Sequence, residues 1–376
     1  MRYRRFGKTN LLLSVFSLGT MRCLSSKAIF EQTIERAITL GINHFETAKS
    51  YGKSEHYLGQ FLAQQPLTCR ENLYITTKLP PTPNPDQMSQ WLDESLQRLQ
   101  VDYFDCLAIH GINTWDHFRW LTQPNGCWIA LQKALDDRRI HHLGFSTHGN
   151  LDLILETIKT NLFEFVNLHY YYFFQRNAPA IVLASQKDMG IFIISPGDKG
   201  GGLYTPPDRL KSLCKPFSPL ELTYRFLLSD QRITTLSVGA ANPEELACPL
   251  ELELDLGPLT LSEIELFQRL ETHIKTTLGS YHCRQCYQCL PCPEKINIPE
   301  ILRLHNLAVA YDMTNFAQYR YRMFENAAHW FPGNKGSHCT ECGDCLPRCP
   351  EKLNIPKLLQ DSHQQFNGLP RRRLWE

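Results

Sequence analysis

The chain has 376 residues, enough for one large domain or two to three ordinary ones. Its 43% hydrophobic and 20% charged residues are a globular mixture, which excludes wholesale disorder and a fibrous fold. Lys+Arg 39 against Asp+Glu 38 leaves +1, so charge does not point to nucleic acid, and no apolar run approaches the ~18 residues of a membrane span.

At the N-terminus, Arg4-Arg5 followed by Leu11 to Leu18 has the outline of a twin-arginine export signal. The apolar stretch is only 8 residues long, is interrupted by Ser14 and Ser17, and runs into Gly19-Thr20-Met21-Arg22 without a small-residue cleavage site. It reads instead as an opening strand or hairpin with Lys8-Thr9-Asn10 at the turn, and the cytoplasm is the expected compartment. Eight strands are then predicted: Val15–Leu18, His44–Thr47, Tyr74–Lys78, Phe104–His110, His142–Ser146, Phe165–His169, Ile191–Ser195 and Thr235–Gly239. Helical periodicity fills the segments between them. Phe30, Ile34, Ala37 and Ile38 share one face, with Gly41 as the stop, and Leu92, Ser95, Leu96 and Leu99 share another. Strands alternating with helices mean βαβ units and a parallel sheet. Eight such units over about 275 residues predict an α/β fold of the (β/α)₈ TIM-barrel type. The runner-up, a doubly wound open sheet, lacks a GxGxxG after the first strand. A helix from about Ser262 to Thr277, with Ile264, Phe267, Leu270 and Ile274 on one face, closes this region.

Composition then changes. Of the 14 Cys, Cys23, Cys69, Cys106, Cys127, Cys214 and Cys248 are scattered and read as plain buried thiols. The other eight fall in two cassettes, Cys283, Cys286, Cys289 and Cys292 followed by Pro293, and Cys339, Cys342, Cys345 and Cys349 followed by Pro350. Helical patterns lie between them at Pro299–Tyr311 and Thr314–Ala328. A structural zinc site needs four ligands, usually as two separated pairs, and does not call for two sets of four that each end in Cys-Pro. Three Cys at steps of three can wrap three corners of an iron–sulfur cubane. The cassettes resemble those of two-cluster ferredoxins, in which the fourth Cys of each run ligates the other cluster. That resemblance implies one [4Fe–4S] cluster on Cys283, Cys286, Cys289 and Cys349, and a second on Cys339, Cys342, Cys345 and Cys292. The first cassette departs from the second in having two residues, not three, before its last Cys. The expected organisation is a barrel over 1–278, a small, mostly helical ferredoxin-like region over 279–367, and a basic tail at 368–376 with Arg371-Arg372-Arg373.

Catalytic side chains of such barrels sit at the C-terminal ends of strands. Glu46 and Tyr51 stand near the C-terminal end of the second predicted strand, Lys78 ends the third and His110 the fourth, which puts an acid–base set on one rim. Here the chain resembles the aldo-keto reductase family. The resemblance runs through Tyr3-Arg4-Arg5-Phe6-Gly7-Lys8-Thr9, Leu18-Gly19-Thr20-Met21, the FxTAxxYGxxExxLG stretch from Phe45 to Gly59, Tyr74-Ile75-Thr76-Thr77-Lys78, and Asp102-Tyr103-Phe104-Asp105 leading to His110. With the cassettes it resembles the iron–sulfur branch of that family. The resemblance implies that Tyr51 is the general acid for a carbonyl attacked by a nicotinamide hydride, and that Lys78 lowers its pKa. Glu46, where the family has Asp, would hold Lys78 charged, and His110 would donate to the developing oxyanion. It also implies nicotinamide binding by Ser146, Thr147 and Asn167, with Ile194 at a position where an aromatic ring commonly stacks. The pyrophosphate would lie along Ser195 and Gly200, and the adenine end at Gly239 and Asn242. Glu244 and Glu245 stand where the family grips a 2′-phosphate with Lys and Arg, so NADPH and NADH both remain open.

Three functions compete on these residues. One is nicotinamide-dependent reduction of a small carbonyl compound, with clusters off the hydride path. The others are an electron-transfer protein serving a redox partner, and a redox sensor, each with a residual barrel site. Glu46 and Ile194 motivate the alternatives. A hydride carries two electrons and each cluster accepts one, so direct coupling would need a flavin-like splitter, for which no signature is present.

Overall fold

In a computed structural model of the chain, residues 1–65, 70–199, 202–247 and 256–371 are described. They divide into two compact units, Met1–Pro196 with Thr223–Pro258, and Gly197–Leu222 with Leu259–Glu376.

The first unit opens with the expected hairpin. Strand β1 (Tyr3–Arg5) pairs antiparallel with β2 (Leu12–Ser14), and the turn is tied by the Asn10 N–H donating to the Gly7 carbonyl at 3.0 Å. Gly7 has φ +54, and a Cβ there would lie 2.3 Å from the Gly190 nitrogen, so only glycine lets the hairpin approach so closely. The next strands are β3 (Phe16–Gly19), β4 (His44–Glu46), β5 (Tyr74–Leu79), β6 (Phe104–His110), β7 (Ile140–Thr147), β8 (Phe165–His169), β9 (Gly190–Ile194) and β10 (Thr235–Val238). They form a closed parallel barrel in the order β10-β3-β4-β5-β6-β7-β8-β9. All eight predicted strands are present. Ser195 and Gly239 fall one residue beyond their strands, where the chain turns onto the rim.

Between β3 and β4, helix Lys27–Thr39 buries Phe30, Thr33, Ile34 and Ala37, is capped by the Ser26 hydroxyl, and stops at Gly41 with φ +81. The barrel floor is apolar. Phe6, fully buried, packs 5.1 Å from Phe165 with Cys106, Ala108 and Phe192 around it. Above it lies a polar layer in which the Ser17 hydroxyl meets His44 Nδ1 at 2.6 Å and the Thr235 hydroxyl at 2.7 Å, while His44 Nε2 meets the Thr76 hydroxyl at 2.7 Å. Side chains two residues further along β4 and β5 point the same way and form the next layer, Glu46 and Lys78.

The second unit is helical. Helix Leu261–Leu278 begins with a capping box between Thr260 and Glu263. Its buried residues are Glu263, Leu266, Leu270 and Leu278, and Ile264 is 38% exposed. The inward face is therefore rotated from the expected one, because Leu266 rather than Ile264 meets the core. Helix Ile298–Tyr311 is buried on nearly every side and forms the centre. The second expected helix runs only over Thr314–Tyr321, not to Ala328. Beyond it Glu325 and Ala328 have φ +69 and +46, and the turns bury Phe324 and Phe331, with the Arg320 guanidinium 4.0 Å above the Phe331 ring. Tertiary burial overrides helix propensity there. Helix Ile355–Phe366, absent from the sequence reading, follows the second cassette. Arg371 lies over the Tyr319 ring at 5.1 Å, and Arg372 and Arg373 lie outside the described residues. No helix among the described residues is long and apolar enough to cross a membrane.

The two cassettes are internal repeats. Cys292-Pro293-Glu294-Lys295-Ile296-Asn297-Ile298-Pro299 matches Cys349-Pro350-Glu351-Lys352-Leu353-Asn354-Ile355-Pro356. Lys295 and Lys352 are both left-handed, and Asn297 and Asn354 both cap the following helix.

His44 supplies a test of the barrel interior. Burial, and secondarily the Lys78 charge, depress its pKa to about 3. The unfolded chain therefore binds a proton below ~6.5 that the folded barrel refuses. Stability is unaffected by this group above ~6.5 and falls as pH drops toward the depressed value, by about 2 kcal/mol between pH 7.5 and pH 5. Urea unfolding at the two pH values should show that loss in the wild type, and His44→Gln should remove most of it.

Candidate active site and cluster cavities

Three strand ends of the first unit, those of β4, β5 and β6, bring the catalytic candidates together. Lys78, 1% exposed on β5, donates to Glu46 Oε1 at 2.6 Å, to the Thr47 carbonyl at 3.0 Å and to the Tyr51 hydroxyl at 3.1 Å. The ammonium thus spends its three donors on a carboxylate, a carbonyl and a phenol. The longer side chain of Glu46 does not break the pair. Its carboxylate is further held by the Asn167 amide at 3.3 Å and the Ser237 hydroxyl at 3.2 Å. Tyr51 reaches Lys78 because the chain after β4 stays bonded to β5. The Thr47 N–H donates to the Thr76 carbonyl at 2.8 Å and the Lys49 N–H to the Lys78 carbonyl at 3.1 Å, and the Tyr51 N–H then closes a turn onto Ala48. Glu55 anchors the helix that follows, accepting from Thr77 at 2.5 Å and Arg98 at 2.7 Å. His110, at the end of β6, stands edge-on to the Tyr51 ring at 5.7 Å, and its Nδ1 meets the Ser50 hydroxyl at 3.2 Å.

The electrostatics follow from burial. Desolvation pushes the Tyr51 phenol above its ordinary pKa; Lys78 pulls it back, and Glu46 pushes it further up. The lowering expected from Lys78 is present but outweighed, chiefly by the burial of the phenol and secondarily by the Glu46 charge. Burial works against the Lys78 cation, yet Glu46 and Tyr51 hold its pKa above the usual lysine value.

The expected nucleotide residues are distributed around this centre. Asn167, fully buried on β8, donates to Glu46 but leaves its Oδ1 without a partner. The Ser146 hydroxyl accepts from the Gly111 N–H at 3.1 Å, and the Thr147 hydroxyl donates to the Ile112 carbonyl at 2.7 Å. Ser195 leaves β9 with φ +54. Gly200 lies outside the described residues. Gly239 follows β10, and a Cβ there would meet only Arg22 Cδ, at 3.8 Å. The Asn242 side chain caps the short helical turn at Glu245. Arg22, which sequence reasoning missed, donates to the Gly239 carbonyl at 2.6 Å and forms an ion pair with Glu245 at 2.8 Å. Ser237 and Ser50 were missed as well. Adjacency to Tyr51 is the signal available for Ser50; for Ser237, period-two alternation along the last strand gives an inward direction but not its partner.

In the second unit, one small cavity is lined by Cys283, Cys286, Cys289 and Cys349. A second is lined by Cys292, Cys339, Cys342 and Cys345. Each takes three thiols from one cassette and one from the other. Gln285 and Tyr287 flank Cys286 in left-handed conformation, as Glu341 and Gly343 flank Cys342. Burial first, and then neighbouring thiols, raise Cys283 to about 11 and Cys289 to about 12. Among the described residues no three His, Cys, Asp or Glu side chains close on the position of a single ion. Of the scattered thiols, Cys23, Cys106, Cys127 and Cys214 are buried, and burial raises all four; Cys69 and Cys248 lie outside the described residues.

The profile of the Aldo/keto reductase family matches residues 16–271, well over half of the chain. The chain belongs to the aldo/keto reductase family. It carries in addition a 4Fe-4S dicluster domain, matched over residues 282–354. This family member is similar to an uncharacterized oxidoreductase of Bacillus subtilis, 26% identical over 232 residues that cover 54% of this chain and 68% of the relative. It is also similar to L-galactose dehydrogenase of Arabidopsis thaliana, 28% identical over 62% of this chain and 82% of that one. An aldo/keto reductase of Synechocystis is 32% identical, but the match spans only 48% of its length. Among solved structures, the holo form of an aldo-keto reductase from Bacillus halodurans superposes with a TM-score of 0.63 at 21% identity, covering 72% of this chain and 96% of that one, a likeness of fold.

The buried pair carries a prediction of its own. Glu46→Leu alone strands the Lys78 charge and should destabilise the barrel by about 3–5 kcal/mol. The double variant Glu46→Leu/Lys78→Met should recover most of that loss, as read by denaturant unfolding. Equal destabilisation of single and double variants would show that the charges are not paired.

Proposed function

We propose that this aldo/keto reductase is a nicotinamide-dependent reductase of small carbonyl compounds, with Tyr51 as proton donor. The observation that carries the reading is the bridging of Glu46 and Tyr51 by a fully buried Lys78 Nζ, at 2.6 and 3.1 Å. The residues at hand fit a nicotinamide nucleotide. Asn167 Oδ1 is a buried acceptor that lacks a donor, which a carboxamide N–H would supply, and Gly239 leaves open space beside Arg22. Ser146, Thr147 and Asn167 would flank the nicotinamide, and Ser195, Gly239 and Asn242 the rest of the nucleotide. When bound, the reduced cofactor supplies the hydride. Glu245 is neutralised by Arg22, so the adenine end is less hostile to a 2′-phosphate than two bare carboxylates would be, and both NADPH and NADH are candidates.

The residues' own work is proton handling. Tyr51, with its raised pKa, is a protonated acid across the working range. As its proton passes to the carbonyl oxygen, the phenolate left behind faces the Lys78 cation at 3.1 Å. Lys78 does not drift away, because Glu46 and the Thr47 carbonyl hold it. His110, oriented by Ser50, offers a further donor beside Tyr51.

The two thiol-lined cavities fit two [4Fe–4S] clusters, cross-ligated between the cassettes, and a fully loaded chain would carry ~8 iron atoms. Cys286 and Cys342 are exposed, which supports a second reading of this unit as the point where a redox partner protein exchanges electrons.

Tyr51→Phe should lower carbonyl reduction by ~10²–10⁴-fold while leaving nucleotide binding unchanged. The donor is active below its pKa and lost as pH rises through it, so the alkaline limb of the wild-type rate should lie above the ordinary tyrosine value of ~10. Steady-state assays with both nucleotides across pH check this. Retained activity in Tyr51→Phe would remove Tyr51 from the reaction.

A further inference from the structure

Because the cassettes are repeats in sequence and backbone, the positions where they differ identify what distinguishes the two cavities. Gln285 and Glu341 occupy the same place, one residue before the second Cys, with φ +55 and +57. Gln285 lines the cavity of Cys283, Cys286, Cys289 and Cys349, and its side-chain Nε2 is buried without a hydrogen-bond partner. Behind it, the Asn306 amide donates to the Cys283 carbonyl at 2.7 Å, fixing the start of the cassette. Glu341 is exposed, and a carboxylate has no N–H to give. The charges differ as well. Arg284 and Glu351, both lining the Gln285 cavity, form an ion pair at 3.2 Å and cancel. The other cavity is lined by Glu294 and Asp344 against the single guanidinium of Arg348, whose N–H groups go to the Asp344 and Pro291 carbonyls.

A buried donor without an acceptor is costly, and the sulfurs of a cluster are acceptors. Adding an electron makes a cluster more negative. Hydrogen bonds to its sulfur therefore raise its reduction potential, and nearby uncompensated carboxylates lower it.

We infer that the cluster on Cys283, Cys286, Cys289 and Cys349 has the higher reduction potential of the two, raised by the Gln285 side-chain amide donating to its sulfur. The inference rests on the reading that both cavities hold [4Fe–4S] clusters. An electron from a partner then comes to rest on this cluster, and the acidic cluster near Asp344 is the weaker acceptor. Gln285 is a positioning residue for charge, not a ligand.

The test is a potentiometric titration of the full-length, anaerobically purified chain, followed by electron paramagnetic resonance after iron analysis. Two separate one-electron waves are expected. Gln285→Leu should lower the upper wave and leave the lower one, and Asp344→Asn should raise the lower wave and leave the upper. If the leucine variant loses iron, Gln285→Glu reads the same position and should lower the upper wave. A single wave in the wild type overturns the inference. So does a Gln285 variant that moves the lower wave or neither. A wild-type chain with little iron and no cluster signal overturns the cluster reading itself, an outcome distinct from a fully loaded chain with the wrong order of potentials.

Discussion

The active-site end of the barrel depends on one buried ion pair, Lys78 with Glu46. A lysine ammonium 1% exposed inside a closed barrel is not stable on its own, and the barrel supplies its whole coordination: a carboxylate, a carbonyl and a phenol. That arrangement determines what surrounds it. Ser237 and Asn167 complete the carboxylate, and the chain after β4 follows β5 far enough to deliver Tyr51 to the third donor. The polar layer of Ser17, His44, Thr76 and Thr235 lies below the pair and accommodates the field of Lys78 by keeping His44 neutral. Two adjacent layers of polar side chains in a barrel are tolerable only because their members bond to one another.

The dicluster domain solves a different problem by duplication. Each cassette contributes three thiols to one cavity and one to the other, so neither cavity is complete without both. The residues after each last Cys repeat the same left-handed turn and Asn cap, and the helices they start line the cavities with Pro299 and Leu302 and with Pro356 and Leu359. Between the repeats, Ile298–Tyr311 is buried on nearly all sides, and the core around it joins the two halves. A hydride moves two electrons and a cluster one, so the proposed chemistry of the barrel and that of the cavities do not exchange directly without a further cofactor.

Much of this was legible in the sequence, for physical reasons that can be named. β6 (Phe104–His110) and β8 (Phe165–His169) were read to the residue because buried parallel strands are short, mostly apolar runs bounded by polar turns. The cassettes were legible because ligand spacing is a local property of the chain. The inward face of Leu261–Leu278 was not, since Ile264 and Leu266 are equally apolar and only packing decides between them. The end of helix Thr314–Tyr321 was hidden for a similar reason, the burial of Phe324 and Phe331 in the turns that follow. In the site, Glu46, Tyr51, Lys78 and His110 announced themselves by type and by strand-end position. Arg22 and Ser237 did not, because their partners Glu245 and Glu46 lie 223 and 191 residues away along the chain.

The most direct test of the account is an anaerobic stopped-flow experiment on the iron-loaded chain with NADPH or NADH, recording nicotinamide and cluster absorbance together. The account predicts that the clusters keep their colour when nucleotide alone is added. Nicotinamide should then be oxidised in step with alcohol formation once an aldehyde is supplied. Bleaching of the clusters by nucleotide before any carbonyl is present would contradict it, placing barrel and cavities on a single electron path.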